Sequence, residues 1–239
     1  MRKMPARQAR NLAEARIAAA ARRITVLRPR LVERFAADLR ELHDALERTG
    51  LCGHYWVWSG LLLGWAREGA ILPHDSLDAD FGVDDRDFFR LVNAVPAIVR
   101  AGFKRDRRFI SNNGDITELT FLRHGASFDF FRMFPDGDRM RYFMYSAEGE
   151  DGAVEVESSI PAQPVVPFSF LGRTWLKHAD HERELREMYG SWEIPDPGWS
   201  YLEGPHIEAR RRWQHPDFHW RGGSAALTDG PARASLISG

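Results

Sequence analysis

Ile71 to Val83 reads ILPHDSLDADFGV, and the alternation in its second half decides the fold. In an extended strand, residues two apart face the same side. Asp78 and Asp80 then share one face, while Leu77, Ala79 and Phe81 share the other and are placed to enter a core. Two carboxylates side by side on a strand repel one another and are costly to desolvate. A cation between them removes that cost, and hard carboxylate oxygens suit Mg²⁺ or Mn²⁺. On this stretch alone, an edge strand with a solvated acidic face is the competing reading.

Two flanking features favour the metal. Upstream, Trp58-Ser59-Gly60 sets a small, flexible pair directly after the apolar run from Tyr55; such a turn lets backbone N–H groups approach a phosphate closely. Downstream, Phe128-Asp129-Phe130 places one acid between aromatics in a strand-like stretch, where a carboxylate needs a metal or a cation as partner. A small-residue turn, a DxD on a strand and a third carboxylate on a later strand together suit metal ions held on phosphates.

The rest of the chain bounds the answer. Of 239 residues, 44% are hydrophobic and 28% charged, a globular composition rather than a disordered one. The formal charge of -1 argues against a sequence-blind nucleic-acid binder, which carries a basic excess. Cys52 is the single cysteine, so an internal disulfide framework and a multi-cysteine zinc site are excluded. The longest apolar stretch, Tyr55 to Ala66, has 12 residues, short of the roughly 20 that span a bilayer. The basic start of the chain has no continuous apolar core of the secretory kind, and the expected location is cytoplasmic. Residues 1 to 30 carry nine Lys or Arg against one acid, whereas residues 75 to 87 carry six Asp against one Arg. The basic arm reads as a helix with a solvated charged face; peripheral contact with an anionic membrane or polymer is the alternative.

The expected architecture is α+β: a mixed β-sheet flanked by helices, with N-terminal helices and an irregular C-terminal tail. Leu31, Phe35, Leu39, Leu42 and Leu46 form one helical stripe that ends by Gly50. Asp84 or Asp85 caps a helix that is broken or kinked at Pro96. Strands are expected at Phe103 to Ile110, Ile116 to Arg123, Ser127 to Phe134, Arg139 to Tyr145, Val154 to Ser158 and Phe168 to Trp175, with turns at Asn113-Gly114 and His124-Gly125. A helix from Ala179 ends at Tyr189-Gly190. The chain thus divides into an arm at 1–30, a catalytic domain at 31–200 and an irregular extension at 201–239.

The stretch WSGLLLGWAREGAILPHDSLDADFGV, from Trp58 to Val83, closely resembles the signature of the LicD/fukutin family, a branch of the nucleotidyltransferase-fold superfamily. The matching features are Ser59-Gly60, Leu62-Leu63-Gly64, Arg67, Leu72-Pro73 and Asp78 with Asp80. Phe128-Asp129-Phe130 resembles the third acidic motif of the superfamily, and the stretch around Tyr189, Gly190, Trp192 and Pro195 resembles the family's closing segment. The family often reads Pro-Trp-Asp-x-Asp-x-Asp, and this chain has one residue more between Pro73 and Asp80; Asp75 then either joins the metal shell or caps the loop.

The resemblance implies a metal-dependent phosphotransferase of nucleotidyltransferase-like fold. It would move a phospho-alcohol such as phosphocholine or ribitol phosphate from a CDP-activated donor to a hydroxyl of a glycan or lipid-linked glycan, releasing CMP. It implies Asp78, Asp80 and Asp129 as catalytic and metal-ligating residues for Mg²⁺ or Mn²⁺, with Asp129 accepting the acceptor's proton. Ser59, Gly60, Arg67 and His74 are the substrate-binding candidates. Asp84, Asp85 and Asp87 read as capping acids, and Trp192, Trp199, Trp213 and Trp220 as packing in the tail. The alternatives on the same fold are a nucleotidyltransferase that attaches an NMP to a small molecule and a catalytically silent binding module.

Overall fold

The computed structural model describes residues 29–73, 77–146, 153–196, 199–202 and 204–215. The basic arm falls almost entirely outside them, and His74, Asp75 and Trp220 lie outside them too. A helix over 29–46 (α1) buries Phe35, Leu39, Leu42 and Leu46, the face expected from their spacing. Leu31, expected on that stripe, is exposed. Strand β1 (Trp56–Trp58) runs directly into α2 (Ser59–Glu68), and β2 (Asp78–Asp84) leads through a single 3-10 turn into α3 (Phe88–Arg100). The strands β3 (Lys104–Ile110), β4 (Ile116–Arg123), β5 (Ala126–Asp136), β6 (Arg139–Ser146) and β7 (Val154–Pro161) follow. A hairpin of β8 (Val165–Phe170) and β9 (Arg173–His178) precedes α4 (His181–Tyr189), and β10 (Ile207–Arg212) closes the described chain.

Seven strands form two connected halves around the long β5, and β10 extends the second half. In the first half the order is β1-β2-β5-β4-β3, with β2 and β5 parallel and the other pairs antiparallel. The far end of β5 pairs with β6, which continues to β7 and β10. This is the α+β arrangement of a mixed sheet with flanking helices that the sequence implied. Among the described residues no helix is long and apolar enough to cross a membrane.

The two faces of the first half follow from strand alternation. Ala79, Phe81 and Val83 on β2 and Phe128 and Phe130 on β5 are fully buried with α1, α2 and α3 in one core. Trp56, Trp58 and Met133 point the other way, into a second core with Tyr142, Val156, Ile160 and Met188. The acids of β2 and β5 share that second face. Gly82 is needed where Trp56 crosses it, since a Cβ there would stand 2.3 Å from the indole ring.

Four expectations are corrected. Leu77 is 47% exposed rather than in the core, because β2 begins one residue later. Phe168 to Trp175 is not one strand: Leu171 and Gly172 both take positive φ (51° and 71°) and turn the chain into the β8–β9 hairpin. Helix α3 runs through Pro96 without interruption; the proline lies on the exposed side, while Leu91, Ala94, Val95 and Ile98 hold the helix on the core. Within the extension expected to be irregular, β10 pairs with β7 and Trp213 is buried.

Candidate functional site

One row across the sheet builds the site. Trp58 of β1 stands opposite Asp80 of β2, Asp80 opposite Asp129 of β5, and Asp129 opposite Thr120 of β4. The parallel β2–β5 register puts Asp78 beside Ser127, so Asp78 and Asp129 flank one hydroxyl: Ser127 Oγ donates to Asp78 Oδ1 and lies 3.3 Å from Asp129 Oδ2. One carboxylate oxygen from each of Asp78, Asp80 and Asp129 lies within 4.8 Å of the others. Asp78 is exposed, Asp80 half-buried and Asp129 buried. The neighbours of Asp129 fix it: Phe128 packs on Phe35 and Phe103 at 5.5 and 5.0 Å, and Phe130 stacks on Phe81 at 5.0 Å.

Burial, and then the nearby Asp78 charge, pushes the Asp129 carboxyl up to about 7, against the opposing pull of Thr120 and Arg107. Its Oδ1 is buried with no hydrogen-bond partner among the described residues. Three carboxylates converging with an orphaned buried oxygen form an all-oxygen donor set. This chemistry fits a hard divalent cation, which would supply the partner the protein withholds.

Helix α2 lines the next side. Ser59 takes φ 52° at the helix start, a conformation rare for a residue with a Cβ, so the left-handed turn falls on Ser59 rather than on Gly60. Its Oγ meets the Tyr189 hydroxyl at 3.1 Å. Gly60, Leu63 and Arg67 recur along one stripe of α2 and face the same cavity, of about 670 Å³, as the three aspartates. Arg67 is mostly buried, and its Nη1 lies 3.4 Å from the Trp192 carbonyl. Ser59, Gly60 and Arg67 are therefore brought together with Asp78, Asp80 and Asp129.

Further residues complete the cavity, and two of them, Glu118 and Arg107, belong to no motif. Glu118 lies two residues from Thr120 on β4 and accepts from its hydroxyl at 3.2 Å. It is buried, and burial followed by the Asp129 charge raises its carboxyl well above the usual range. Its signal was visible: an acid inside the β-branched and aromatic run ITELTF, the same oddity as Asp129 between phenylalanines. Arg107 of β3 lines the cavity as well. From the later chain come Tyr189 and Trp199, packed at 4.5 Å, together with Trp192, Tyr201 and His206. Trp192 and Trp199 thus wall the cavity, whereas Trp213 packs on Tyr145 and Phe109. Asp84 caps the 3-10 turn by accepting from the Arg86 N–H, Asp85 pairs with Arg132, and Asp87 pairs with His54 and Arg90.

No curated protein matches the chain. A family model described as LicD/FKTN/FKRP, nucleotidyltransferase domain, matches residues 53–174, a segment that carries the Ser59-Gly60 turn, Arg67 and all three aspartates. That family is generally one of transferases, typically dependent on a divalent metal. With just over half of its 239 residues matched, from the strand before the small-residue turn to the hairpin after the last acid, the chain belongs to the LicD/FKTN/FKRP family.

Proposed function

We propose that the protein is a metal-dependent phosphotransferase that moves a phospho-alcohol, such as phosphocholine or ribitol phosphate, from a CDP-activated donor to a hydroxyl of a glycan or lipid-linked glycan, releasing CMP. The observation that carries this reading is the convergence of Asp78, Asp80 and Asp129 within 4.8 Å on a cavity that also holds Ser59, Gly60 and Arg67.

Asp78, Asp80 and Asp129 would hold Mg²⁺ or Mn²⁺. When bound, the ion neutralises charge on the donor's phosphates and on the departing CMP. The Ser59-Gly60 turn offers backbone N–H groups to phosphate oxygens at the start of α2, and Arg67 supplies a fixed positive charge from the same helix. The acceptor oxygen attacks the phosphorus that bears the alcohol, and the P–O bond to CMP breaks. The acceptor's proton passes to Asp129, which faces the cavity beside Asp78 and Asp80 and serves as the base. The aromatic wall of Tyr189, Trp192 and Trp199 presents flat apolar surface to a base or sugar ring.

The test is to incubate the protein with CDP-choline or CDP-ribitol, Mg²⁺ and candidate glycan acceptors. CMP release that depends on both acceptor and metal is expected. Pyrophosphate release from a nucleoside triphosphate, without CMP release from either donor, would replace this reading with nucleotidyl transfer.

A further inference from the structure

We infer that Arg107 is a ligand of the substrate's phosphate groups, acting from the side of the site opposite Arg67; the inference deepens the phosphoryl-transfer reading and rests on it. The pairing of β3 with β4 is interrupted. Arg105 stands opposite Phe121 and Arg108 opposite Leu119, so two residues, Asp106 and Arg107, face Thr120 alone. A bulge of this kind inserts one residue and re-aims a side chain, and bulges collect beside active sites. Thr120 is the β4 member of the row that carries Asp129 and Asp80. The bulge therefore sits where the row of acids reaches the edge of the sheet, and it brings Arg107 into the cavity wall.

The state of the side chain fits a ligand-binding role. Arg107 Nε donates to Asp106 at 2.9 Å, and the guanidinium carbon lies 5.8 Å from the Phe109 ring centroid. Its terminal N–H groups make no hydrogen bond or ion pair with another described residue. These donors have the planar fork that matches phosphate oxygens. Charge gives the reason for such a group. Asp78, Asp80, Glu118 and Asp129 all line the cavity, and a pyrophosphate adds more negative charge. Among the described residues, Arg67 and Arg107 are the two arginines that line it. They arrive from opposite ends of the strand row, Arg67 from α2 next to β1 and Arg107 from the far edge strand β3. A phosphate-bearing substrate between them meets a cation on both sides of the carboxylates.

A side chain that merely balances Glu118 and Asp129 would behave differently, and pyrophosphate binding separates the two roles. Inorganic pyrophosphate is titrated calorimetrically, with Mg²⁺ present, into the wild-type protein, Arg107→Gln and Arg107→Lys. Mn²⁺ affinity and melting temperature are measured for each. Arg107→Gln is expected to weaken pyrophosphate binding about 10- to 100-fold without weakening Mn²⁺ binding. Arg107→Lys is expected to fall between Gln and wild type, because it keeps the charge but not the fork. Pyrophosphate affinity within twofold of wild type in Arg107→Gln overturns the inference and leaves the proposed function standing. Should the Gln variant not fold, the Lys variant decides by the same criterion. A wild-type protein that binds pyrophosphate but releases no CMP from CDP-linked donors overturns the proposed function and leaves this inference intact. A wild-type protein that binds no pyrophosphate overturns the inference, and CMP release from CDP-linked donors then decides the proposed function separately.

Discussion

Asp80 and Asp129 carry opposite faces of one physical problem. Each gains its role from a neighbour that makes it unfavourable in isolation. Replacing Asp80 by Asn removes a negative charge from a cluster whose oxygens lie within 4.8 Å while keeping the shape. The expected outcome is an unchanged or raised melting temperature and at least about a hundredfold loss of turnover. Unfolding, or retained activity, would remove Asp80 from the metal site. Asp129 gives a pH dependence whose sign follows from its shift. With its carboxyl raised from 3.8 to about 7, the folded, metal-free protein binds more protons than the unfolded chain between those values. The Asp129 contribution to stability therefore falls as pH rises from about 4 to about 7 and levels off above. Glu118, raised by the same burial, adds to the fall. Calorimetric melting across pH without metal should show this decline, and Asp129→Asn should flatten it; an unchanged slope in the variant would assign the decline elsewhere. The residues behind this behaviour were legible in part. Asp78, Asp80 and Asp129 stood out because acids alternate with apolar residues in short strands. Glu118 carries the same mark, but no motif lies beside it to give the acid a role. Arg107 could not be found at all, since a bulge is a property of the pairing of two strands rather than of either sequence.

At the scale of elements, the edge hairpin β3–β4 depends on the end of the described chain. Trp213 donates its Nε1–H to the Ile110 carbonyl at 2.8 Å and packs on Tyr145 and Phe109. Asn112, in the hairpin turn, donates to the Arg212 carbonyl and accepts from the Gln214 N–H, and its own N–H is held by Glu155 at 2.7 Å. Since β3 pairs, among the described residues, with β4 alone, this strap steadies the strand that bears Arg107 and Phe109. Trp213→Ala should cost about 3 kcal/mol and speed hydrogen exchange in Lys104–Ile110 while Ala79, Phe81 and Val83 keep their protection. Uniform loss of protection across both halves would show that Trp213 supports the whole core instead. The same region explains an error in the sequence reading. Beyond Pro195 the periodicity is weak, so β10 was not expected; its strand exists because β7 offers an edge and Trp213 an anchor, both set by tertiary packing. The β8–β9 hairpin was missed for a local reason. His124-Gly125 and Leu171-Gly172 are the same kind of left-handed pair, but leucine seldom adopts that conformation, so Leu171 masks a turn that Gly172 alone marks.

For the whole molecule, the layered plan was readable because strand alternation separates two destinations. Phe81, Phe128 and Phe130 go to the helical core, and the acids go to the face shared with Trp56 and Trp58. What alternation could not reveal is that this second face would be covered rather than solvated. The covering comes from β6, β7, α4 and the aromatic residues after Tyr189, which turn an acidic sheet surface into a cavity of about 670 Å³. Burial of Asp129 follows from that covering, and so does the case for a cation. Binding to the folded state alone should stabilise it, by about 2.7 kcal/mol at a hundredfold excess over the dissociation constant. The most direct check is a Mn²⁺ titration, followed by electron paramagnetic resonance, of the wild-type protein beside Asp78→Ala and Asp129→Asn. Saturable binding at or below millimolar Mn²⁺ in the wild type, lost or strongly weakened in both variants, is the expected result. No binding at millimolar Mn²⁺, or equal binding in all three proteins, would contradict the claim that these aspartates hold a divalent cation.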